Sequence, residues 1–219
     1  MRIIDFENLI REIPFRNQSC DIKKSNWECE NQIKLVEKIF DGNDLITINR
    51  FDLINSNWNI EEFIIKTLMW GYPTKGRGKN IDNLLLNENF KVLTERLENY
   101  RESEITIESI KQDLKIPGLG LSTLTKFAHF LKARIDGFKT VIIDNQIIEA
   151  ISTGRFAEFN SLKGIRYDNA VRKYVDYIKL IAKLSIETNS EPDQIEMFLF
   201  TFGRNLSELK GKKGDFIEL

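Results

Sequence analysis

Cysteine and histidine are almost missing from this chain, and their scarcity removes whole classes of chemistry. Cys20 and Cys29 are the two cysteines and His129 the single histidine among 219 residues. Two thiols cannot build a disulfide framework, a four-thiolate zinc site or a four-cysteine iron-sulfur cluster within one chain. One imidazole excludes a His-rich metal site and argues against a Ser-His-Asp triad. No metal and no cofactor are therefore expected. Long apolar runs are missing as well: nothing approaches the ~20 residues needed to cross a bilayer, so no membrane partner is expected. The opening MRIIDFENLIREIPF has acids inside its apolar stretch and no small-residue cleavage site. It does not read as a signal peptide, which makes a cytoplasmic location with reduced thiols the expectation. Nor is there an excess of charge of one sign. The 32 basic and 33 acidic residues leave a net charge of -1, which argues mildly against a broad sequence-independent nucleic-acid footprint.

What is present is an ordinary globular composition, 42% hydrophobic and 30% charged, enough for one sizeable core or two small lobes sharing a groove. There is no internal repeat, low-complexity tract or proline-rich linker. Asn59, with Glu62 three residues on, reads as the cap of a helix carrying Phe63, Ile64, Leu68 and Met69 and ending before Gly71 and Pro73. Leu84, Leu85, Phe90, Val92, Leu93 and Leu97 fit one or two helices over 81–98. Shorter helices are expected over 108–114, 122–131 and 144–152. Val171 to Leu184 has an apolar stripe of Tyr174, Val175, Ile178 and Ile181. A last helix would start at a Ser190 cap with Pro192 in its first turn and Gly203 just past its end. The β-branched runs at 45–48 and 140–143 are the only strand signals. The predicted fold is mainly α and two-lobed, with residues 1–58 packing on a helical domain over 59–219.

Chemistry concentrates between Ile116 and Ile148. IPGLG at 116–120 joins two helices: Pro117 breaks the first, and Gly118 and Gly120 let the backbone approach another molecule closely. Ser122 and Thr123 open the next helix, whose free N–H groups and positive dipole end suit an anion such as a DNA phosphate. A tight helix-helix turn is the plainer reading of the same residues. Downstream, VIIDNQIIEAI places Asp144 at the start of a further amphipathic helix. An aspartate there is a preferred N-cap.

With its hairpin and its aspartate, this segment resembles the helix-hairpin-helix DNA glycosylases, which excise damaged or mismatched bases. Ile116, Pro117, Gly118 and Gly120 match the hairpin and Asp144 the aspartate, with a few extra residues falling in 132–140; the resemblance implies that the Asp144 carboxylate stabilises the positive charge that builds on a sugar when an N-glycosidic bond breaks. Where bifunctional members of that superfamily carry a nucleophilic lysine, this chain has Ser122. The run GLGLST is similar to the adenine-specific mismatch branch, although that branch's iron-sulfur cysteines are lacking. The resemblance therefore implies a monofunctional enzyme. Lys126, one turn beyond Ser122 on the same face, could reach the sugar, bind phosphate or simply face solvent. A narrower similarity, carried by WGYP at 70–73, GLGLSTLTKF at 118–127 and EMFLFTFG at 196–203, is to small bacterial 8-oxoguanine-glycosylase-like proteins. Some of those are encoded among antiviral defence genes, which would imply defence proteins as partners.

Other candidates follow from this reading. Trp70 and Tyr72 are placed to stack on an extruded base or to fill the core. Asn145 and Gln146 would contact base or backbone, or face solvent. Lys75, Arg77 and Lys79 form a glycine-punctuated basic loop, and Lys210, Lys212 and Lys213 a second basic stretch; either could meet phosphates or be plainly solvated. His129, inside an apolar helix, is expected in the core or at a groove edge. Three functions compete: a DNA glycosylase, an enzyme of this fold acting on RNA or on a modified nucleobase or nucleotide, and a binding module without catalysis.

Overall fold

A computed structural model describes residues 1–206 apart from positions 56, 58 and 77. Arg77, Lys210, Lys212 and Lys213 thus lie outside the described residues. The short α1 (Glu7–Arg11) leads into β1 (Ser19–Lys23), which pairs antiparallel with β2 (Leu45–Asn49) from Ser19↔Asn49 to Lys23↔Leu45. The helix α2 (Ile33–Phe40) lies between them, and α3 (Arg50–Asn55) follows β2 directly. The strand signal at 45–48 is realised in β2. Its partner β1, with the pattern Ser-Cys-Asp-Ile-Lys, has too little β-branching to announce itself.

α4 (Ile60–Gly71) is buried almost all round, and the Asn59 side chain accepts from the Glu62 N–H at its start. After it come α5 (Asn80–Leu84), α6 (Asn87–Glu98), α7 (Ile107–Asp113) and α8 (Leu121–Phe130). Val92, expected on the apolar face of α6, is 43% exposed; Phe90, Leu93 and Leu97 carry the packing instead. The hairpin β3 (Arg134–Ile135) and β4 (Phe138–Lys139) accounts for the extra residues in 132–140. α9 (Asn145–Ser152), α10 (Ala170–Glu187) and α11 (Pro192–Phe202) complete the chain of helices. The cap of α11 is Glu191 rather than Ser190: Glu191 N–H donates to the Gln194 side chain, while the Ser190 hydroxyl pairs with Thr188.

The other strand signal, at 140–143, is not realised as a strand. The segment runs extended but pairs with no strand, because side chains take its backbone groups. The Tyr174 hydroxyl donates to Val141 O at 2.8 Å and the Tyr177 hydroxyl to Ile142 O at 3.0 Å. Thr125 Oγ1 accepts from Ile143 N–H at 3.3 Å, and His129 Nδ1 lies 2.9 Å from Thr140 O. Val141, Ile142 and Ile143 are buried, so these hydroxyls satisfy carbonyls that would otherwise be stranded in the core.

The helices sort into two packed groups. α4 meets α2, α3, α6 and α8, whereas α11 meets α1, α9 and α10. The extended segment 140–144 passes between them and delivers Asp144 to the cleft where they face each other.

Candidate functional site

The hairpin starts where α7 ends. Leu119 N–H donates to Ile116 O, and Gly118 has φ +86, a conformation that favours glycine. A β-carbon there would overlap the Asn80 carbonyl and sit 2.9 Å from Leu84 N. Gly118 is thus needed for close packing against α5, in addition to any approach by a ligand. Gly120 is the N-cap of α8. A β-carbon on it would overlap the Tyr167 hydroxyl. The backbone N–H groups of Ser122 and Leu121 face that same oxygen; burial raises the phenol's pKa and these N–H groups oppose the rise. The helix end that an anion would occupy is thus covered by a neutral hydroxyl, from a loop the sequence did not flag.

Beyond the hairpin, a cavity of about 450 Å³ opens between the two helical groups. Seven sequence candidates line it: Trp70, Tyr72, Ser122, Lys126, Asp144, Asn145 and Gln146, the last two in the first turn of α9. Asp144 caps α9, its Oδ1 accepting from Ile147 N–H at 3.0 Å. The N-cap role and the chemical role are compatible, because one carboxylate oxygen is used and the other is left over.

Lys126 is 7% exposed and therefore not a solvated surface lysine. Side chains on a helix lean toward its N-terminus. Lys126 accordingly reaches back one turn, placing Nζ 2.8 Å from Ser122 Oγ and 3.3 Å from Ser122 O. Its amine sits 5.4 Å from the centre of the Tyr72 ring, and its methylenes lie against Gly71, where a β-carbon would approach to 3.1 Å. Tyr72 is fixed in turn by a 2.8 Å hydrogen bond between its hydroxyl and Thr123. Trp70 stands edge-on to Phe130 at 5.1 Å and donates to Gln18 O, so its indole is both core and cavity wall.

The candidates at the cavity rim, in the basic loop and at the hairpin tip are held by other residues or exposed. Gln146 is held by Arg204 at 2.9 Å, and Asn145 is exposed at the rim. Lys75 is tied to Asp82 at 2.6 Å and donates to Glu28 O, while Lys79 is exposed. Pro117 is exposed at the tip of the hairpin.

Sequence reasoning missed a buried ion cluster behind the cavity. Glu196 lines the cavity and is 3% exposed. Its Oε2 accepts from Arg50 Nη2 at 2.5 Å; the same nitrogen lies 3.1 Å from Asp193 Oδ1 and 3.2 Å from His129 Nε2. Burial pushes the Glu196 carboxyl above the usual carboxylate range against the pull of Arg50. For Asp193, burial is outweighed by His129 and Arg50, and its carboxyl is held low. Glu196 and Phe200, one turn apart on α11, both face the cavity. The i, i+4 spacing was readable, but an acid within EMFLFTFG has no sequence signature that says it is buried.

A family model described as "Putative 8-oxoguanine DNA glycosylase OGG-like protein" matches residues 14–200. The chain belongs to this family. The match covers most of the chain and includes the hairpin, Lys126, Asp144, the cavity and the ion cluster. No curated protein and no solved structure matches the chain. The mainly helical architecture is what a glycosylase-type member of the family would have, and no described helix is long and apolar enough to cross a membrane.

Proposed function

We propose that the chain is a DNA N-glycosylase that receives an extruded, oxidised purine in the 450 Å³ cavity. One observation carries the reading: Asp144 and Lys126, 18 positions apart, open into the same aromatic-walled cleft beside the hairpin. In this reading Trp70, Tyr72 and Phe200 offer apolar faces to the base. Glu196, held by Arg50, accepts from its ring or amino N–H groups, of which an oxidised guanine has several. As the C1′–N bond breaks, its electron pair leaves with the base, which acquires a proton. Positive charge builds on the sugar beside the Asp144 carboxylate, which stabilises it. Water attacks C1′, and its proton passes to Asp144 or to solvent.

The placement of Lys126 favours a second arm of the same reading. Its amine, rather than water, would attack C1′, leaving a covalent link to the opened sugar. Ser122 in the usual lysine position favours hydrolysis as the main course, with abasic sites left un-nicked.

The test offers duplexes and single strands carrying oxidised, deaminated or mismatched bases and scores base release separately from strand cleavage. Wild type should release base, and Asp144→Asn should be slower by about a hundredfold or more. Stability should change by ~1 kcal/mol or less, since asparagine also caps. A borohydride-trapped adduct lost in Lys126→Ala would assign the nucleophile to Lys126. Absence of base release from every substrate would refute the glycosylase reading and leave a recognition module.

A further inference from the structure

The ion cluster has two sides. Glu196 faces the cleft that holds Asp144, whereas His129 and Asp193 line a separate cavity of about 320 Å³ near the β3–β4 hairpin. Its walls combine two kinds of group. Phe15 and Phe51 supply aromatic surface, Phe51 being 49% exposed. Around them stand Arg16, Lys132, Arg134 and Lys139. Arg16 lies 5.4 Å from the Phe15 ring centre.

The acids near this cavity cancel only part of its charge, leaving Arg16 and Arg134 without a carboxylate partner among the described residues. Asp193 is met from behind by Arg50 and His129, at 3.1 and 2.9 Å. Glu191 faces Lys139 at 3.7 Å, while Lys132 has an exposed partner in Glu102. Arg134 Nη1 is engaged by a carbonyl, that of Gly137, and not by a carboxylate. The cavity thus presents an aromatic slot with surplus positive charge at its edge. That combination takes a ligand with a flat π-face and a negative group. Asn55, also in the wall, donates through Nδ2 to Phe51 O and leaves its side-chain oxygen to accept from such a ligand.

We propose that this second cavity binds a nucleoside monophosphate, with the base against Phe15 and Phe51 and the phosphate among Arg134, Lys132 and Lys139. The volume lies at the lower end of ligand cavities, roughly 300–1,000 Å³, which suits one nucleotide better than a strand. The site is independent of the glycosylase reading, because the cluster of Arg50, His129, Asp193 and Glu196 separates it from Asp144.

Calorimetric titration of the full chain with 2′-deoxyguanosine 5′-monophosphate, deoxyguanosine and inorganic phosphate tests this. The nucleotide should bind at least tenfold more tightly than either fragment. Arg134→Ala and Phe51→Ala should each weaken it tenfold or more with unchanged circular dichroism and melting, since both side chains are exposed. Asp144→Asn should leave the affinity unaltered. Phosphate binding as tightly as the nucleotide would overturn the base slot, and loss of binding in Asp144→Asn would move the ligand to the other cavity. Failure of the monophosphate to bind, with a short single-stranded oligonucleotide binding through Arg134, would make the surface part of a nucleic-acid track. No binding of any of these would overturn the site.

Discussion

Arg50→Met removes the one cation that Glu196 touches among the described residues, and the consequence can be worked from the cluster's geometry. Arg50 has no exposed surface, and its Nη2 serves Glu196, Asp193 and His129 together. Methionine fills much of the same volume but leaves two buried carboxylates, of which Asp193 keeps His129 at 2.9 Å and Glu196 keeps nothing. Breaking a buried pair in this way costs about 3–5 kcal/mol. The sign of the pH dependence follows. In wild type the low Asp193 carboxyl contributes stability above its unfolded pKa of ~3.9 that is lost as pH falls through that region. The raised Glu196 carboxyl acts the other way, costing stability as pH climbs past ~4.3. Without Arg50 the Glu196 carboxyl rises further and the Asp193 carboxyl is held down less, so the variant's deficit should widen between pH 5 and pH 7.5. Urea unfolding of wild type and variant at the two pH values measures this. A deficit below ~1 kcal/mol, or one equal at both pH values, would refute a charged cluster. Adding Glu196→Gln should recover part of the loss, and the recovery should be larger at pH 7.5.

Two further outcomes are expected. Gly118→Ala forces a β-carbon onto the Asn80 carbonyl at φ +86 and should cost about 2–5 kcal/mol, a melting temperature lower by roughly 6 °C or more; a melt within ~2 °C of wild type would show that α5 yields there. Tyr167→Phe deletes the hydroxyl that covers the Leu121 and Ser122 N–H groups. If a phosphate takes that helix end, filter-binding affinity for DNA should improve by about two- to tenfold, the worth of one released hydrogen bond, whereas weaker binding would make Tyr167 a contact and not a competitor.

Periodicity and caps made most helices readable, because their information is local. Asn59 with Glu62, and Asp144 before Ile147, each place a helix start to the residue. The β-branched signal at 140–143 leads to no strand for the opposite reason. Val141, Ile142 and Ile143 have strand propensity, but their hydrogen bonds come from Tyr174, Tyr177 and Thr125, 18 to 35 positions away. Asp144 and the hairpin were legible through spacing and helix position, and Lys126 through its place one turn past Ser122. Arg50, Asp193 and Glu196 were not. Nothing local marks any of them as buried, and only the meeting of α3, α8 and α11 turns them into one buried unit. Tyr167 was hidden likewise, since nothing near it in the chain points to Gly120.

The β3–β4 hairpin is pinched shut at its base: Thr140 N–H and its hydroxyl both reach Ala133 O, at 3.1 and 2.9 Å. Beyond that clasp the chain is re-anchored at once by tyrosines of α10, so the bearing of Asp144 is set independently of what happens between 133 and 140. Residues can be inserted, deleted or exchanged at the hairpin tip without disturbing the aspartate. Arg134 and Lys139, which flank the tip, belong to the other cavity. Substitutions at Arg134 or Lys139 can therefore change the wall of that cavity without moving Asp144.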